Sequence, residues 1–152
     1  MNMMNFKIQG FFTTLIIGSV SALTISDAIS QKVNAQATPS CNNATITGSY
    51  GDKTIGSGTD PGTTTSIPVA GVGLVKFDGK GNFQETSAIS VNGDISPNQT
   101  DSGTYSVKQD CTVQIVYRSG TSSGVIVDGG KEIFLIALVR GQVVTSTLKK
   151  VN

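Results

Sequence analysis

Histidine and tryptophan are absent from this 152-residue sequence, charged residues make up only 14% of it, and it holds two cysteines and four prolines. Each shortage excludes something. Without histidine there is no Ser-His-Asp or Cys-His catalytic arrangement and no imidazole ligand for a metal. No catalytic residue, metal site or cofactor is therefore expected. No stretch reads GxxxxGK[ST], and Gly71-Val72-Gly73 lies in an alternating run with no helix after it, so neither phosphate-cradling motif is present. Only two glutamates occur, Glu85 and Glu132.

The first 35 residues read as a secretory signal peptide. Lys7 supplies a positive start, Phe11 to Val20 an apolar stretch, and Val33-Asn34-Ala35 or Ala35-Gln36-Ala37 a small-residue cleavage point. The apolar stretch is broken by Thr13, Thr14, Gly18 and Ser19 and falls short of the ~20 residues a membrane span needs, so the mature chain carries no integral membrane segment. Removing the leader takes Lys7, Lys32 and Asp27 and leaves nine charges of each sign. No basic stripe remains, and nucleic acid is not an expected partner. The expected location is outside the cytoplasm, periplasmic or extracellular. In that setting Cys41 and Cys111 read as one disulfide.

What is present is glycine, serine, threonine and valine in short alternating runs, with no helical periodicity after residue 40. Eight runs are expected as strands: 44–51, 69–77, 83–92, 103–107, 111–117, 125–128, 132–139 and 143–148. Residues 36–43 form an N-terminal arm before a single domain over 44–152. The seventh run is nearly all apolar and is expected to be covered on both faces or wrapped by its neighbours. The Gly/Ser/Thr-rich segment 56–68 reads as a long exposed loop, and 91–103 as a longer connection. Short links favour antiparallel neighbours. The expected fold is all-β, an up-and-down antiparallel barrel of about eight strands that leaves no exposed edge, with a β-sandwich as the alternative.

The stretch Phe77-Asp78-Gly79-Lys80-Gly81-Asn82-Phe83 offers oxygens that could begin a calcium loop. An EF-hand-type loop needs an oxygen ligand third and a glycine sixth, where this stretch has Lys80 and Phe83. A lysine would repel the ion. The stretch reads instead as an Asp-Gly hairpin turn of type I′.

At Phe77 to Asn82, Gly103 to Thr112 and Val127 to Ile133 the chain resembles small exported bacterial proteins of unassigned function. In architecture it is similar to lipocalin-like or allene-oxide-cyclase-like barrels, although the lipocalin Gly-x-Trp signature is missing with tryptophan. That resemblance implies a barrel and carries over no catalytic residue. A non-enzymatic exported barrel is the reading these features favour, with a small apolar ligand held by Phe77, Phe83, Glu85, Ile89, Tyr105, Ile115 and Phe134. Two alternatives stand beside it: a cyclase- or isomerase-like enzyme using Glu85 with a tyrosine hydroxyl, and a structural or adhesive surface protein using the 56–67 loop.

Overall fold

A computed structural model describes residues 40–59 and 62–151. The leader and the first part of the arm lie outside the described residues. Eight strands run β1 (Gly48–Thr59), β2 (Ser66–Phe77), β3 (Asn82–Val91), β4 (Asp94–Val107), β5 (Thr112–Tyr117), β6 (Gly120–Val127), β7 (Glu132–Ala137) and β8 (Val143–Lys150). Each pairs antiparallel with the next, and β8 pairs with β1, so the sheet closes into an up-and-down barrel. The sandwich alternative is thereby excluded. Every backbone edge is used in the ring.

The barrel is filled at one end only. Tyr50, Val75, Phe77, Phe83, Tyr105, Val113, Ile115, Ile126, Ile133, Leu135 and Leu148 alternate inward on their strands and form a buried core near one rim. Phe77 stands at its centre, edge-on to Tyr50 (5.5 Å between ring centroids) and Tyr105 (5.0 Å). Such contacts add to the area that aromatic burial removes from water. The arm closes this end from below. Its 3-10 turn, Asn43–Ile46, inserts Ile46 fully into the core. Asn43 holds it there, its side-chain oxygen accepting from the Val107 amide at 2.9 Å and its carbonyl from the Tyr105 hydroxyl at 3.0 Å. Cys41 and Cys111 sit at disulfide distance, Cα atoms 5.0 Å apart, and join the arm to the β4–β5 turn.

Several boundaries differ from the sequence reading, each for a physical reason. Residues 43–46 turn rather than extend, because Asn42 caps them: its side chain accepts from Ala44 N, and Thr45 Oγ1 returns a bond from Asn42 N. Segment 56–68 is mostly strand, and only 60–65 link β1 to β2. A side chain at Gly56 would put its Cβ 2.1 Å from the Val143 carbonyl, so this glycine marks a close approach of β8 and not a flexible loop. Segment 91–103 is also mostly strand. Asn92 (φ 52°) and Gly93 (φ 91°) make a two-residue hairpin turn, and β4 starts directly after it. Pro97 and Asn98 (φ 55°) form a bulge where Ser87 pairs with Gln99 but Ile89 with Ser96.

The Phe77–Phe83 stretch is a turn, as expected, but a longer one than type I′. Asp78 accepts from the amides of Lys80 (2.7 Å) and Asn82 (2.9 Å) and from the Asn82 side chain (2.7 Å). Those bonds, the Asn82 side chain first, hold the Asp78 carboxyl down at about 2. The oxygens that resembled calcium ligands are spent on their own backbone.

Candidate functional site

Toward the opposite rim the inward residues become small and polar, and the barrel is hollow. A cavity of about 590 Å³ opens there. Its upper wall carries the aliphatic side chains of Ile67, Val69, Ile89, Val91, Val139 and Val144, interspersed with Thr59, Gln99 and Gln142. Lower down it is lined by Asp52, Glu85, Asp101 and Tyr117, with hydroxyls from Thr54, Ser87, Ser122 and Ser146. No lysine or arginine lines it. Small residues make the space. Gly73 is the cross-strand neighbour of both Asp52 and Ser87, so the inner face of β2 is bare backbone between β1 and β3. A Cβ at Gly73 would come within 2.9 Å of the Ser87 Cβ. Asp52 and Ser87 therefore face each other across bare backbone, and Glu85, the next inward residue of β3, lies diagonally across β2 from Asp52.

Glu85 and Asp101 are direct cross-strand partners, both facing inward, an arrangement that like charges make unfavourable. Asp101 is relieved by Arg118, whose Nε lies 3.2 Å away. Asp52 is held at one oxygen only: Ser146 donates to Thr54 Oγ1 (2.6 Å), and Thr54 donates to Asp52 Oδ2 (2.8 Å). Asp52 Oδ1 is buried without a partner among the described residues. Burial raises the pKa of Asp52. Burial, and then the Asp52 charge, raises that of Glu85. Tyr117, edge-on to Phe83 at 5.0 Å, is pushed well above the usual phenol range by burial and then by Glu85, Asp52 and Asp101. Tyr117 is accordingly a neutral hydroxyl at the head of a carboxylate group.

These shifts set a stability prediction. An acid whose pKa is raised by folding penalises the fold at pH values above its own pKa, and the penalty vanishes once it is protonated. Asp52→Asn, which keeps an oxygen for Thr54, should therefore melt a few °C higher than the wild type at neutral pH. The gain should disappear below the ordinary carboxylate range. A melting-temperature series against pH checks it, and a variant less stable at neutral pH contradicts the electrostatic account.

Of the residues expected in the interior, the structure brings Glu85 and Ile89 to the cavity. Phe77, Phe83, Tyr105 and Ile115 are inside the barrel but belong to the packed end. Phe134 is on the outer wall, 44% exposed, because Ile133 and Leu135 take the inward positions of β7. The expected cover on the outer face of that strand is absent among the described residues. Asp52, Asp101 and Tyr117 were not singled out from the sequence as a group, and no spacing signal joins them. They meet only through the closed register of β1, β3, β4 and β5.

Among the described residues no group of histidine, cysteine and carboxylate side chains is placed to hold a metal ion, and no helix is long and apolar enough to cross a membrane. The barrel architecture suggested by the resemblance stands. Comparison with protein-family models, curated proteins and solved structures gives no match, so the functional reading rests on the cup itself.

Proposed function

We propose that this chain is a non-enzymatic exported binding module whose open cup takes one small ligand with an apolar body and a cationic or hydrogen-bond-donating head. One observation carries the reading: a barrel that is solid at one end and hollow at the other, with acceptors at the bottom of the hollow and aliphatic walls above it. A volume of about 590 Å³ falls within the ordinary range of small-molecule sites. Eight strands allow either a filled interior or room for one small ligand. The purely apolar ligand suggested by the sequence fits the walls but would desolvate Asp52 and Glu85 with no cation beside them, which is costly. A donor-bearing head offsets that cost. Export is supported by the leader pattern and by the cysteine pair at bonding distance.

The test uses a naphthylamine dye, an apolar ring system carrying an N–H donor, together with mass spectrometry of solvent extracts of the purified protein. Dye fluorescence should rise on binding, and Ala137→Trp, which fills the cup from β7, should weaken that binding at least tenfold without lowering the melting temperature. Wild-type protein that takes up no dye and yields no extractable ligand contradicts the proposal. So does dye binding that Ala137→Trp leaves unchanged.

A cyclase- or isomerase-like activity keeps one supporting observation, since Glu85 faces the cavity beside Tyr117 rather than water outside the barrel. A carboxylate with a raised pKa suits a general base. On that reading Glu85→Gln abolishes conversion of whatever compound is extracted from the cup while binding persists; no conversion by the wild type removes it. The adhesive reading loses half of its loop, because 56–59 and 66–67 are strand.

A further inference from the structure

We infer that the outer wall of the barrel is a self-association surface, on which the β6–β7 ridge of one molecule seats in the β1–β4 groove of a second copy. The groove is a dent in the sheet. In register, Ile55 on β1, Ala70 on β2, Ser90 on β3 and Ile95 on β4 form one row across four strands. Two exposed isoleucines, Ile55 at 53% and Ile95 at 73%, wall a floor of Ala70, Ala88 and Ser90, with Val72 and Lys53 in the row that bounds one end. The hollow between them has a volume of about 400 Å³. Three strand steps separate the walls, roughly 14 Å at ~4.8 Å per step, wide enough for the side chains of one strand.

The ridge has the complementary shape. Phe134, Ile136 and Leu138 project in line along and just beyond β7, each 44–57% exposed, with Val125 beside Phe134 on β6. Flanking Ile136 are Ser123 and Thr145, and on the β8 side of Phe134 is Thr147, so the line stands above its surroundings. Water-facing strands of an antiparallel sheet ordinarily present polar side chains outward. Contiguous apolar tracts of this size on an outer wall mark interaction sites.

The occupant is a second copy because the concave and convex tracts fit each other and a molecule cannot bring its own two together. Groove and ridge are centred four strands apart in a ring of eight, on opposite walls. The groove spans roughly 14 Å across its four strands, and the ridge from Phe134 to Leu138 runs roughly 13 Å along the chain. That supplies the apolar core of an interface of about 800 Å² per partner, the threonines and serines around it supplying the polar rim. Two different patches meeting make a head-to-tail contact, which propagates unless it closes into a ring.

Sedimentation velocity across a concentration series tests this. The wild type should gain mass with concentration, reaching at least twice the monomer. Ala70→Arg, which fills the groove, and Ile136→Arg, which charges the ridge, should each stay monomeric. Mixed in equal amounts they should form a dimer, since one intact groove and one intact ridge remain. A wild type that stays monomeric overturns the inference, whether or not it binds lipid vesicles. So does a mixture that stays monomeric, which would mean like patches pair with like. Unchanged melting and dye uptake establish that the variants fold; where one does not, Ser90→Arg or Leu138→Arg replaces it.

Discussion

Phe77→Ala should cost the fold about 3–5 kcal/mol, a large part of the ~5–15 kcal/mol that separates a domain of this size from its unfolded state. The ring is 1% exposed and touches the rings of Tyr50, Phe83 and Tyr105, so its removal leaves a cavity that four strands cannot close without breaking register. Urea denaturation should show a lower midpoint with the slope unchanged, since the surface exposed on unfolding is nearly the same. The same truncation near the open rim should behave differently. Ile89 lines the cup, where the space beside it is already empty and few partner atoms are lost. Ile89→Ala should cost less than about 1.5 kcal/mol, at the low end for an aliphatic truncation. Equal losses at the two positions would mean that the barrel is packed along its whole length.

That asymmetry explains which parts of the fold were legible in the sequence. Strands near the packed end announce themselves. Val75 and Phe77, Phe83 and Glu85, and Val113 and Ile115 alternate with polar neighbours, and glycine or aspartate punctuates their turns. On β2 and β3 the alternation runs on into the cup with Ile67, Val69, Ile89 and Val91, but the cup halves of β1 and β6 carry no such signal. β1 continues through Thr54, Gly56 and Gly58, and β6 begins with Gly120, Ser122 and Gly124, because a hollow interior asks for small and polar side chains. Their composition resembles loops. The alternation rule detects burial against a core, and the cup halves of β1 and β6 have none.

Beyond the bulge, toward the Asn92-Gly93 turn, the start of β4 is exposed on both faces and shows no alternation at all. Yet Asn-Gly is among the strongest local hairpin signals, and it could have placed the start of β4 nine residues earlier than the apolar pattern did. β7 fails in the opposite way. A strand reading Glu132-Ile133-Phe134-Leu135-Ile136-Ala137 is apolar on both faces, and periodicity cannot choose which one turns inward. The choice is made by register with β6, where Val125 opposes Phe134 and Ile126 opposes Ile133. The acidic group of the cup is a further step removed. Asp52, Glu85, Asp101 and Tyr117 come from four strands, and only ring closure brings β1 and its carboxylate to the same space as β5.

Breaking the Cys41–Cys111 bridge should lower stability by about 4 kcal/mol, because it frees a 70-residue loop in the unfolded chain. The bridge also fastens the plug of the packed end. Cys41 N donates to the Gln109 carbonyl at 3.2 Å, and two residues later Asn43 takes bonds from Val107 and Tyr105. Ile46, with no exposed surface, is the apolar end of that plug. If the bridge acts through the unfolded chain, reduction should lower the denaturation midpoint while the Val107 amide, bound to the Asn43 side chain, stays protected from hydrogen exchange until the whole barrel opens. If it acts by pinning the arm, that amide should exchange early. Cys111 adds a local term, since its φ of 65° is a conformation that a non-glycine residue adopts at a cost. Reduced wild type keeps that strain, and Cys41→Ser/Cys111→Gly relieves it, so comparing the two separates loop closure from backbone strain. A reduced protein as stable as the oxidised one would show that the arm is held by Ile46 and Asn43 alone, and that closing 70 residues contributes nothing.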